Sequence, residues 1–478
     1  MATNNTNIWE PIADIAKQVN AGKLTARSQV EKSLELIEKN GEYHTVLAIL
    51  KATALKKADD QDAKIKNGEQ IGRLAGVPFI AKDNFLSYGA PTTAASKILE
   101  PFNAPYQATA IEKLEAEGAI LVAKANLDSF AHGSSTENSA FGPTLNPHDK
   151  TKVPGGSSGG SGAAVALSLT PFALGTDTRG SIRLPASYCG VVGLKPTYGL
   201  VSRYGVVAMA SSTDVIGPLT KNVDDSALVL DVMSGKDEFD STTIERSVSS
   251  YNELKPSLKG KKIGIIKEYF TDGLDNEVKK SIQNAIDELK KSGAEIIEVS
   301  LPSISLALAC YYIIVPAEVS SNLSRYDGQR YGLSAPDAKD LDDVYGITRE
   351  NGFMAENKRR IMIGTYVLSS GYYDAYYRKA QTVRTKLINE FKDAFKKVDF
   401  LVGPTAPTTA FELGANVTDP LQMYLSDIMT VAVNLVGIPA ISVPAGEVKN
   451  MPVGLQLMAP QHHDKQLLEI AKAYEEIK

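Results

Sequence analysis

The chain has 478 residues, of which 43% are apolar and 22% are charged, a composition that excludes disordered and collagen-like chains and indicates a soluble globular protein. Lys and Arg number 51 against 56 Asp and Glu, and the net charge of −5 gives no basic excess for binding nucleic acid directly, so we expect any such role to fall to a partner. The two cysteines, Cys189 and Cys310, are too far apart in sequence to indicate a disulfide framework or a zinc site. The sequence shows no apolar stretch of membrane-spanning length and no visible signal peptide, so we expect a cytoplasmic protein.

Helical and strand-like patterns alternate along the chain. Apolar residues recur at helical spacing in residues 1–70, from Trp9 to Val19 and from Val30 to Ile37, so this part is expected to be helical. Short apolar runs between turn residues follow, and they predict buried strands that end at functional loops. The runs are VPFIAKDN at 77–84, AILVAKANL at 119–127, VVGLKP at 191–196 and DFLVGPT at 399–405.

A β-α-β unit is predicted over Lys261–Val299. A strand in KKIGIIKEYF precedes a helix over Asp275–Lys291, Gly293 follows as a stop signal, and EIIEV resumes as a strand. The apolar face of the helix consists of Val278, Ile282, Ala285, Ile286 and Leu289. Strands that alternate with helices predict an α/β fold with a mixed or parallel sheet.

The segment Gly133–Gly162 is rich in Gly and Ser and nearly free of large aliphatic residues. One interpretation is a flexible linker, although an apolar helix from Ala163 onward follows it without a polar gap. A second is a phosphate-binding loop, but GGSSGGSGAA lacks the Walker lysine and no strand immediately precedes the glycines. The third interpretation is an active-site loop that presents serines.

A serine nucleophile needs a base within hydrogen-bond reach. His148 and the pair His462 and His463 lie in polar turns, and GGSSG at 155–159 lacks the strand that a nucleophile elbow requires, so a Ser-His-Asp hydrolase is poorly supported. Lys82, at the end of a predicted strand, is an alternative base if burial keeps its amine neutral. Strand-end lysines more often reach solvent.

Three separated segments resemble the amidase signature family. They are AKDN at 81–84, PGGSSGGSGAAVA at 154–166 and GTDTRGSIRLPASYCGVVGLKPTYG at 175–199. The resemblance implies a single large α/β domain, a mixed β-sheet covered by helices on both faces, whereas length alone would suggest about three domains. It also implies a Ser-cisSer-Lys triad, with Ser181 as nucleophile, Ser157 as the bridging serine and Lys82 as the base.

The resemblance assigns further residues around the nucleophile. The implied oxyanion hole consists of the backbone N–H groups of Thr178, Arg179, Gly180 and Ser181. Asp177 and Arg183 are expected to pair and hold this loop, and Cys189 is expected to be a small buried residue and not a nucleophile.

Three positions depart from the family pattern. Arg179 stands where the family has glycine, and it would be strained if the position needed a positive φ. Ser129 and His132 stand where glutamate and methionine are usual. An arginine beside the nucleophile could exclude a competing substrate, bind a carboxylate of the ligand, or mark an impaired or repurposed enzyme.

Longer segments resemble the glutaminase subunits of tRNA-dependent amidotransferases. They include YYIIVPAEVSSNLSRYDGQRYG at 311–332, KRRIMIGTYVLSSGYYDAYYRKAQ at 358–381 and DPLQMYLSDIMTVAVNLVGIPAISVP at 419–444. This resemblance implies that free glutamine is held by Arg360 at its carboxylate, Asp427 at its ammonium and Tyr311 as a hydrogen-bonding wall. From the residues alone, Arg360 could belong to a solvated basic face, Tyr311 to the core and Asp427 to a helix cap.

The same resemblance implies the partners, which are the B and C subunits of the amidotransferase. Ammonia from glutamine would travel to the B subunit, which would use ATP and Mg to convert Glu-tRNA(Gln) to Gln-tRNA(Gln) and would hold the tRNA, while the C subunit would clamp the pair. No cofactor is expected in this chain, and no membrane contact. Two other functions stay open, a stand-alone amidase acting on another amide and a catalytically weak scaffold subunit.

Within the expected single domain, four parts are predicted. They are an N-terminal helical part (1–70), a signature core with the triad (71–235), a peripheral part over the site (236–334), and a C-terminal part that completes the substrate pocket and the sheet (335–478).

Overall fold

The computed structural model describes residues 8–416 and 420–478. Over these residues the chain forms an 11-stranded sheet and fifteen α-helices. The strands are β1 (Val46–Ile49), β2 (Pro78–Lys82), β3 (Ile120–Ala125), β4 (Phe172–Asp177), β5 (Val192–Lys195), β6 (Val215–Thr220), β7 (Lys262–Ile266), β8 (Glu295–Val299), β9 (Phe400–Pro404), β10 (Ala440–Val448) and β11 (Met451–Met458). The helices are α1 (Ile12–Asn20), α2 (Ala26–Lys39), α3 (Lys51–Lys66), α4 (Thr109–Ala116), α5 (Gly159–Ala166), α6 (Arg183–Cys189), α7 (Val223–Met233), α8 (Asn276–Lys291), α9 (Ala307–Asn322), α10 (Leu341–Gly352), α11 (Ala355–Leu368), α12 (Lys379–Phe395), α13 (Pro420–Leu425), α14 (Val431–Val436) and α15 (Asp464–Ile477).

The strands lie in the spatial order β1-β3-β2-β4-β6-β5-β10-β11-β9-β7-β8. β2 runs parallel to β3 and β4, and β7 runs parallel to β8 and β9. The other neighbouring strands pair antiparallel. The predicted α/β fold, one domain with a mixed sheet flanked by helices, is therefore confirmed. All four predicted parts contribute strands to this one sheet, and the boundaries between them stay predictions.

The strands that carry the signature segments lie in the buried part of the sheet, together with β6, β9 and β11. Every residue of β2, β3 and β4 is buried, which is typical of strands covered on both faces. The four predicted apolar runs form β2, β3, β5 and β9, as expected. Because β2 and β4 are adjacent and parallel, their carboxyl ends, Lys82 and Asp177, open on the same edge of the sheet.

The predicted β-α-β unit is confirmed as β7, α8 and β8. The Asp275 side chain caps α8 by accepting hydrogen bonds from the backbone N–H groups of Glu277 and Val278. The buried residues of α8 are the five of the predicted apolar face, and β8 pairs parallel with β7.

Two local features differ from expectation. Residues 1–70 are not wholly helical, because the short aliphatic run of β1 adds an edge strand that pairs antiparallel with β3. The helix expected from Ala163 begins earlier, at Gly159, inside the glycine run. Glycine is needed there because a Cβ on Gly160 would lie 2.4 Å from the carbonyl oxygen of Asn126. The linker interpretation is wrong, since residues 153–165 are all buried.

One helical stretch, Pro302–Arg325, has the length and composition of a membrane span. It comprises α9 and the short helical turns at its two ends, and 56% of its most apolar 18-residue segment is buried inside the domain. α9 packs against α11 and α12, as a core helix of a globular protein does.

Candidate active site

Lys82 ends strand β2 with its side chain fully buried. Its amine donates hydrogen bonds to Ser157 Oγ (2.8 Å), Ser158 Oγ (2.9 Å) and Thr176 Oγ1 (2.9 Å). Burial lowers the pKa of Lys82 to about 7, and the carboxylates of Asp128 and Asp177 offset only part of that effect. The amine is therefore neutral in a substantial fraction of molecules near neutral pH and can accept a proton.

Ser157 lies in the glycine-rich segment, after a cis peptide bond between Gly156 and Ser157. Its carbonyl oxygen accepts a hydrogen bond from the N–H of Asp128 (3.3 Å). Asp128 also fills the space beside Gly156, where a Cβ would lie 2.2 Å from Asp128 Oδ2. The Asp128 carboxylate accepts hydrogen bonds from the N–H groups of Thr136 and Asn138, and burial raises its pKa to about 6.

Ser181 lies in the turn between β4 and α6, with 2% of its surface exposed. Its carbonyl oxygen accepts a hydrogen bond from the N–H of Ser158 (3.1 Å), so this turn lies directly against the loop that carries Ser157. The structure thus joins Lys82 to Ser157 by a hydrogen bond and places the turn of Ser181 beside them, while no hydrogen bond joins Ser181 Oγ to Ser157 among the described residues.

The buried pair of Asp177 and Arg183 holds the turn, as expected. Arg183 Nη2 lies 3.0 Å from Asp177 Oδ1, and Arg183 also donates hydrogen bonds to Asn434 Oδ1 and Gln456 Oε1. Burial alone would raise the pKa of Asp177, but the charge and hydrogen bonds of Arg183 outweigh burial and lower it to about 2. Asp177 Oδ2 also accepts from the N–H of Ile182, which fixes the backbone next to Ser181.

The backbone N–H groups of residues 178–181 donate no hydrogen bond to any acceptor in the part of the chain that the structure describes. They are free donors in a turn fixed on both sides. Gly180 has a φ of 147°, and a Cβ there would lie 2.2 Å from Thr430 Oγ1, so only glycine fits. Arg179 is not among the residues with positive φ, so the strain considered for an arginine at this position does not arise.

The Arg179 side chain is buried and extends to Asp427. Its Nε lies 2.8 Å from Asp427 Oδ2, and its Nη2 donates to Ser134 Oγ. Its guanidinium also donates to the hydroxyl of Tyr312 and lies 5.6 Å from the ring centroid of Tyr311. Ser134 donates in turn to Asp427 Oδ2, so arginine, serine and aspartate form one closed network.

Arg360 and Tyr311 complete this cluster. Arg360 is buried, so it does not belong to a solvated basic face, and its Nε lies 2.8 Å from Glu356 Oε1. Its Nη1 and Nη2 and the Tyr311 hydroxyl have no hydrogen-bond partner in the described structure. Burial raises the pKa of Tyr311 to about 12. The Asp427 side chain pairs with Arg179 and does not cap a helix; its backbone carbonyl accepts from Thr430 at the start of α14.

Two cavities adjoin the turn of residues 178–181. The larger, of about 310 Å³, is lined by residues that include Asp128, His132, Ser135, Arg179, Arg360 and Tyr424. The smaller, of about 190 Å³, is lined by residues that include Asn84, Thr176, Thr178, Arg203 and Asp214. The larger is the candidate substrate pocket because the buried Arg179 and Arg360 line it. Ser181, Tyr311 and Asp427 are not among its lining residues in the described structure.

Both remaining departures from the family pattern contact one residue, Asn357. Ser129 Oγ donates to Asn357 Oδ1 (2.9 Å), and Asn357 Nδ2 lies 2.7 Å from His132 Nδ1. Burial and the neighbouring cations lower the pKa of His132 well below its usual value, so the ring is neutral. Ser129 and His132 thus form, with Asn357, an uncharged anchor between the signature core and α11.

Three residues of the site, Ser134, Asn357 and Glu356, were not predicted from the sequence. Glu356 had a readable signal, because it lies four residues before Arg360 on one helix, a spacing at which opposite charges meet. The partners of Arg179 had none, since Ser134 and Asp427 approach it only in the folded chain.

Neither the cysteine nor the histidines considered from the sequence hydrogen-bond to the triad candidates among the described residues. Cys189 is buried, its Sγ donates to the Pro154 carbonyl oxygen (3.3 Å), and burial raises its pKa. No histidine hydrogen-bonds to Lys82, Ser157 or Ser181 in the structure described. Within residues 8–416 and 420–478, no group of three or more His, Cys, Asp or Glu is arranged to hold a metal ion.

Comparison with known proteins gives consistent matches over nearly the whole chain. Residues 28–468 match the family model described as Amidase. The chain is 52% identical to the A subunit of the Glutamyl-tRNA(Gln) amidotransferase of Gloeobacter violaceus, over 98% of this chain and 96% of that protein. The crystal structure of the A subunit of the Thermotoga maritima Glutamyl-tRNA(Gln) amidotransferase superposes with a TM-score of 0.80 at 41% identity, covering 94% of this chain and 91% of that one. A structure described as a vestigial protein complex that reveals the origins of an s-triazine catabolic enzyme has a TM-score of 0.84 at 30% identity, covering 98% of each chain.

Proposed function

The chain belongs to the amidase signature family, and from this premise we propose that it hydrolyses a carboxamide with Ser181 as nucleophile, Ser157 as proton relay and Lys82 as base. The observation that carries the proposal is the 2.8 Å hydrogen bond between the buried Lys82 amine and Ser157 Oγ, beside the turn that holds Ser181. A buried amine whose pKa is near 7 can act as a general base at neutral pH.

Neutral Lys82 takes the proton of Ser157, which takes the proton of Ser181 while Ser181 Oγ attacks the amide carbonyl carbon. The carbonyl oxygen becomes an oxyanion, for which the N–H groups of Thr178, Arg179, Gly180 and Ser181 are the proposed donors. The C–N bond then breaks, and the leaving nitrogen receives the relayed proton and departs as ammonia. Water hydrolyses the ester on Ser181, which releases the carboxylic acid and restores the serine.

The proposed amide donor is glutamine, held by Arg360, Tyr311 and Asp427. Three buried hydrogen-bonding groups have no partner among the described residues, Arg360 Nη1 and Nη2 and the Tyr311 hydroxyl, and they support a carboxylate as the recognised group. The amide would extend from there toward the turn that holds Ser181, since Arg179 belongs both to that turn and to the pocket wall.

The proposed setting is a cytoplasmic heterotrimer. Ammonia would pass to the B subunit, which with ATP and Mg would convert Glu-tRNA(Gln) to Gln-tRNA(Gln), and the C subunit would clamp the two; this chain itself would need no cofactor. The names of relatives at about 50% identity, A subunits of the Glutamyl-tRNA(Gln) amidotransferase, support a role as one subunit of such an enzyme. The net charge of −5 also agrees with a tRNA held by a partner.

The test is ammonia release from glutamine by the chain co-produced with the B and C subunits of its own genome. We expect release that rises when ATP and Glu-tRNA(Gln) are present and that Ser181→Ala abolishes. Full activity on another amide by the chain alone would favour a stand-alone amidase. No release from any amide by the assembled complex would favour a scaffold role.

A further inference from the structure

Asp427 already has a cation. The Arg179 guanidinium lies 2.8 Å from its Oδ2 and is itself buried, so the charge of the carboxylate is matched inside the protein. Ser134 also donates to this oxygen. Oδ1 remains without a partner in the described part of the chain, so it can still accept a hydrogen bond. A ligand ammonium arriving there would meet a neutral pair with a guanidinium close by, and such a pair gives little net Coulombic attraction.

The other charged group of the cluster, Arg360, differs. Arg360 has Glu356 on its Nε, but its Nη1 and Nη2 are buried and unpaired within the described residues. The Tyr311 hydroxyl is a third unpaired donor in the same cluster. Buried donors without partners are costly, and a bidentate carboxylate satisfies an arginine edge well. The cluster thus offers three unpaired donors to a carboxylate and, in Asp427 Oδ1, one unpaired acceptor to an ammonium within the described residues. The arginine side also keeps a net positive charge, because Arg359 and Arg360 share Glu356, whereas Asp427 is neutralised by Arg179.

We infer that Arg179 determines the specificity of this site: the pocket recognises the carboxylate of an amide donor and not an adjacent ammonium, so monoamides of simple dicarboxylic acids are used at least as well as glutamine. The inference rests on the proposed amide hydrolysis and changes one contact of it, that of Asp427. Arg179 lies two residues before Ser181, so the residue that pairs with Asp427 also lies beside the carbonyl group that the nucleophile would attack.

The test compares glutamine with glutaramate, which has the same skeleton without the α-amino group. The full-length chain, co-produced with its partner subunits, is assayed for ammonia release from each amide, and the ratio of the two kcat/KM values is taken. In the natural protein, we expect the kcat/KM for glutamine divided by the kcat/KM for glutaramate to be about one or less. Arg179→Gly frees Asp427 to bind an ammonium and is expected to raise the ratio at least about tenfold.

Arg359→Ala is the matched control, because it removes an arginine from the pocket wall near the carboxylate that both amides share and leaves the pairing of Arg179 with Asp427 in place. We expect this change to leave the ratio unaltered. A natural protein that prefers glutamine by tenfold or more, with a ratio that Arg179→Gly does not change, would overturn the inference.

Asp427→Asn gives a second measurement that does not depend on the folding of Arg179→Gly. If the ammonium is not recognised, both amides lose activity together and the ratio stays constant; a selective loss of glutamine use would contradict the inference. If neither amide is hydrolysed, calorimetric binding of both to the Ser181→Ala complex still gives the ratio of affinities. Absence of hydrolysis would then count against the proposed function, and the affinity ratio would decide the inference separately.

Discussion

A change of pH tests the role of Lys82 most directly, because only the neutral amine can act as the base. With a pKa of about 7, its neutral fraction is about 0.9 at about pH 8 and about 0.1 at about pH 6. If Lys82 is the base, kcat/KM falls about tenfold over this interval and reaches a plateau above about pH 8. A lysine with an ordinary pKa of about 10.4 would instead lose about a hundredfold over the same interval and give no plateau below about pH 9.

The assay is ammonia release between about pH 5.5 and about pH 9.5, at substrate concentrations well below KM so that the free enzyme is observed. Glutamine and glutaramate are assayed in parallel, since the ammonium of glutamine itself titrates at the alkaline end. We expect Lys82→Met to lower kcat/KM by about 10²–10⁴-fold and to abolish the change of kcat/KM around pH 7. A profile that still rises tenfold per pH unit through about pH 9 would refute the argument that burial sets the pKa of this amine.

Lys195 is the matched control. Burial also lowers its pKa to about 7, but its amine donates to the carbonyl oxygen of Pro196 and not to Ser157 or Ser181. Lys195→Met should therefore leave the midpoint of the activity profile in place. If the step disappears in that variant and persists in a weakly active Lys82 variant, the titration belongs to Lys195 and the assignment of the base is wrong.

Three further predictions concern the supports of the site. Arg183→Met leaves the buried Asp177 carboxylate without its counter-ion, and we expect urea unfolding near neutral pH to show a loss of about 3–5 kcal/mol. The pKa of Asp177 in the folded protein is about 2, below its ordinary value, so the pair stabilises the fold above about pH 4 and this stabilisation is lost as the pH falls through about 2. An Arg183→Met protein whose free energy of unfolding depends on acid pH as that of the natural protein does would contradict this. Gly180→Ala puts a Cβ 2.2 Å from a buried threonine hydroxyl, so we expect at least about a 10²-fold loss of kcat with native circular dichroism, and near-normal turnover would show that the turn can shift. Cys189 and Cys310 are buried with raised pKa, so neither is expected to react with a thiol reagent until denaturant is added; rapid labelling of the native chain would mean local opening there.

Residue order along the chain was enough to predict several of the local elements and the identity of the triad candidates. Periodicity predicted the strand-helix-strand unit from Lys261 to Val299 down to its buried face, because a helix buries residues at a fixed spacing wherever it packs. Lys82, Ser157 and Ser181 could be named because each lies in a short segment whose residue order resembles the family signature. Periodicity could not predict β1, a four-residue edge strand among helices, since its pairing with β3 is a non-local contact.

The surroundings of the candidate site became apparent only in the folded chain. Residue order could not tell whether Arg179 was strained, exposed or paired, because Asp427 and Ser134 lie far from it along the chain. The pKa of Lys82 is likewise a property of burial by elements brought together from several parts of the sequence. Contacts between residues that are distant in sequence depend on how the whole chain packs, so they cannot be predicted from the local order of residues around either partner.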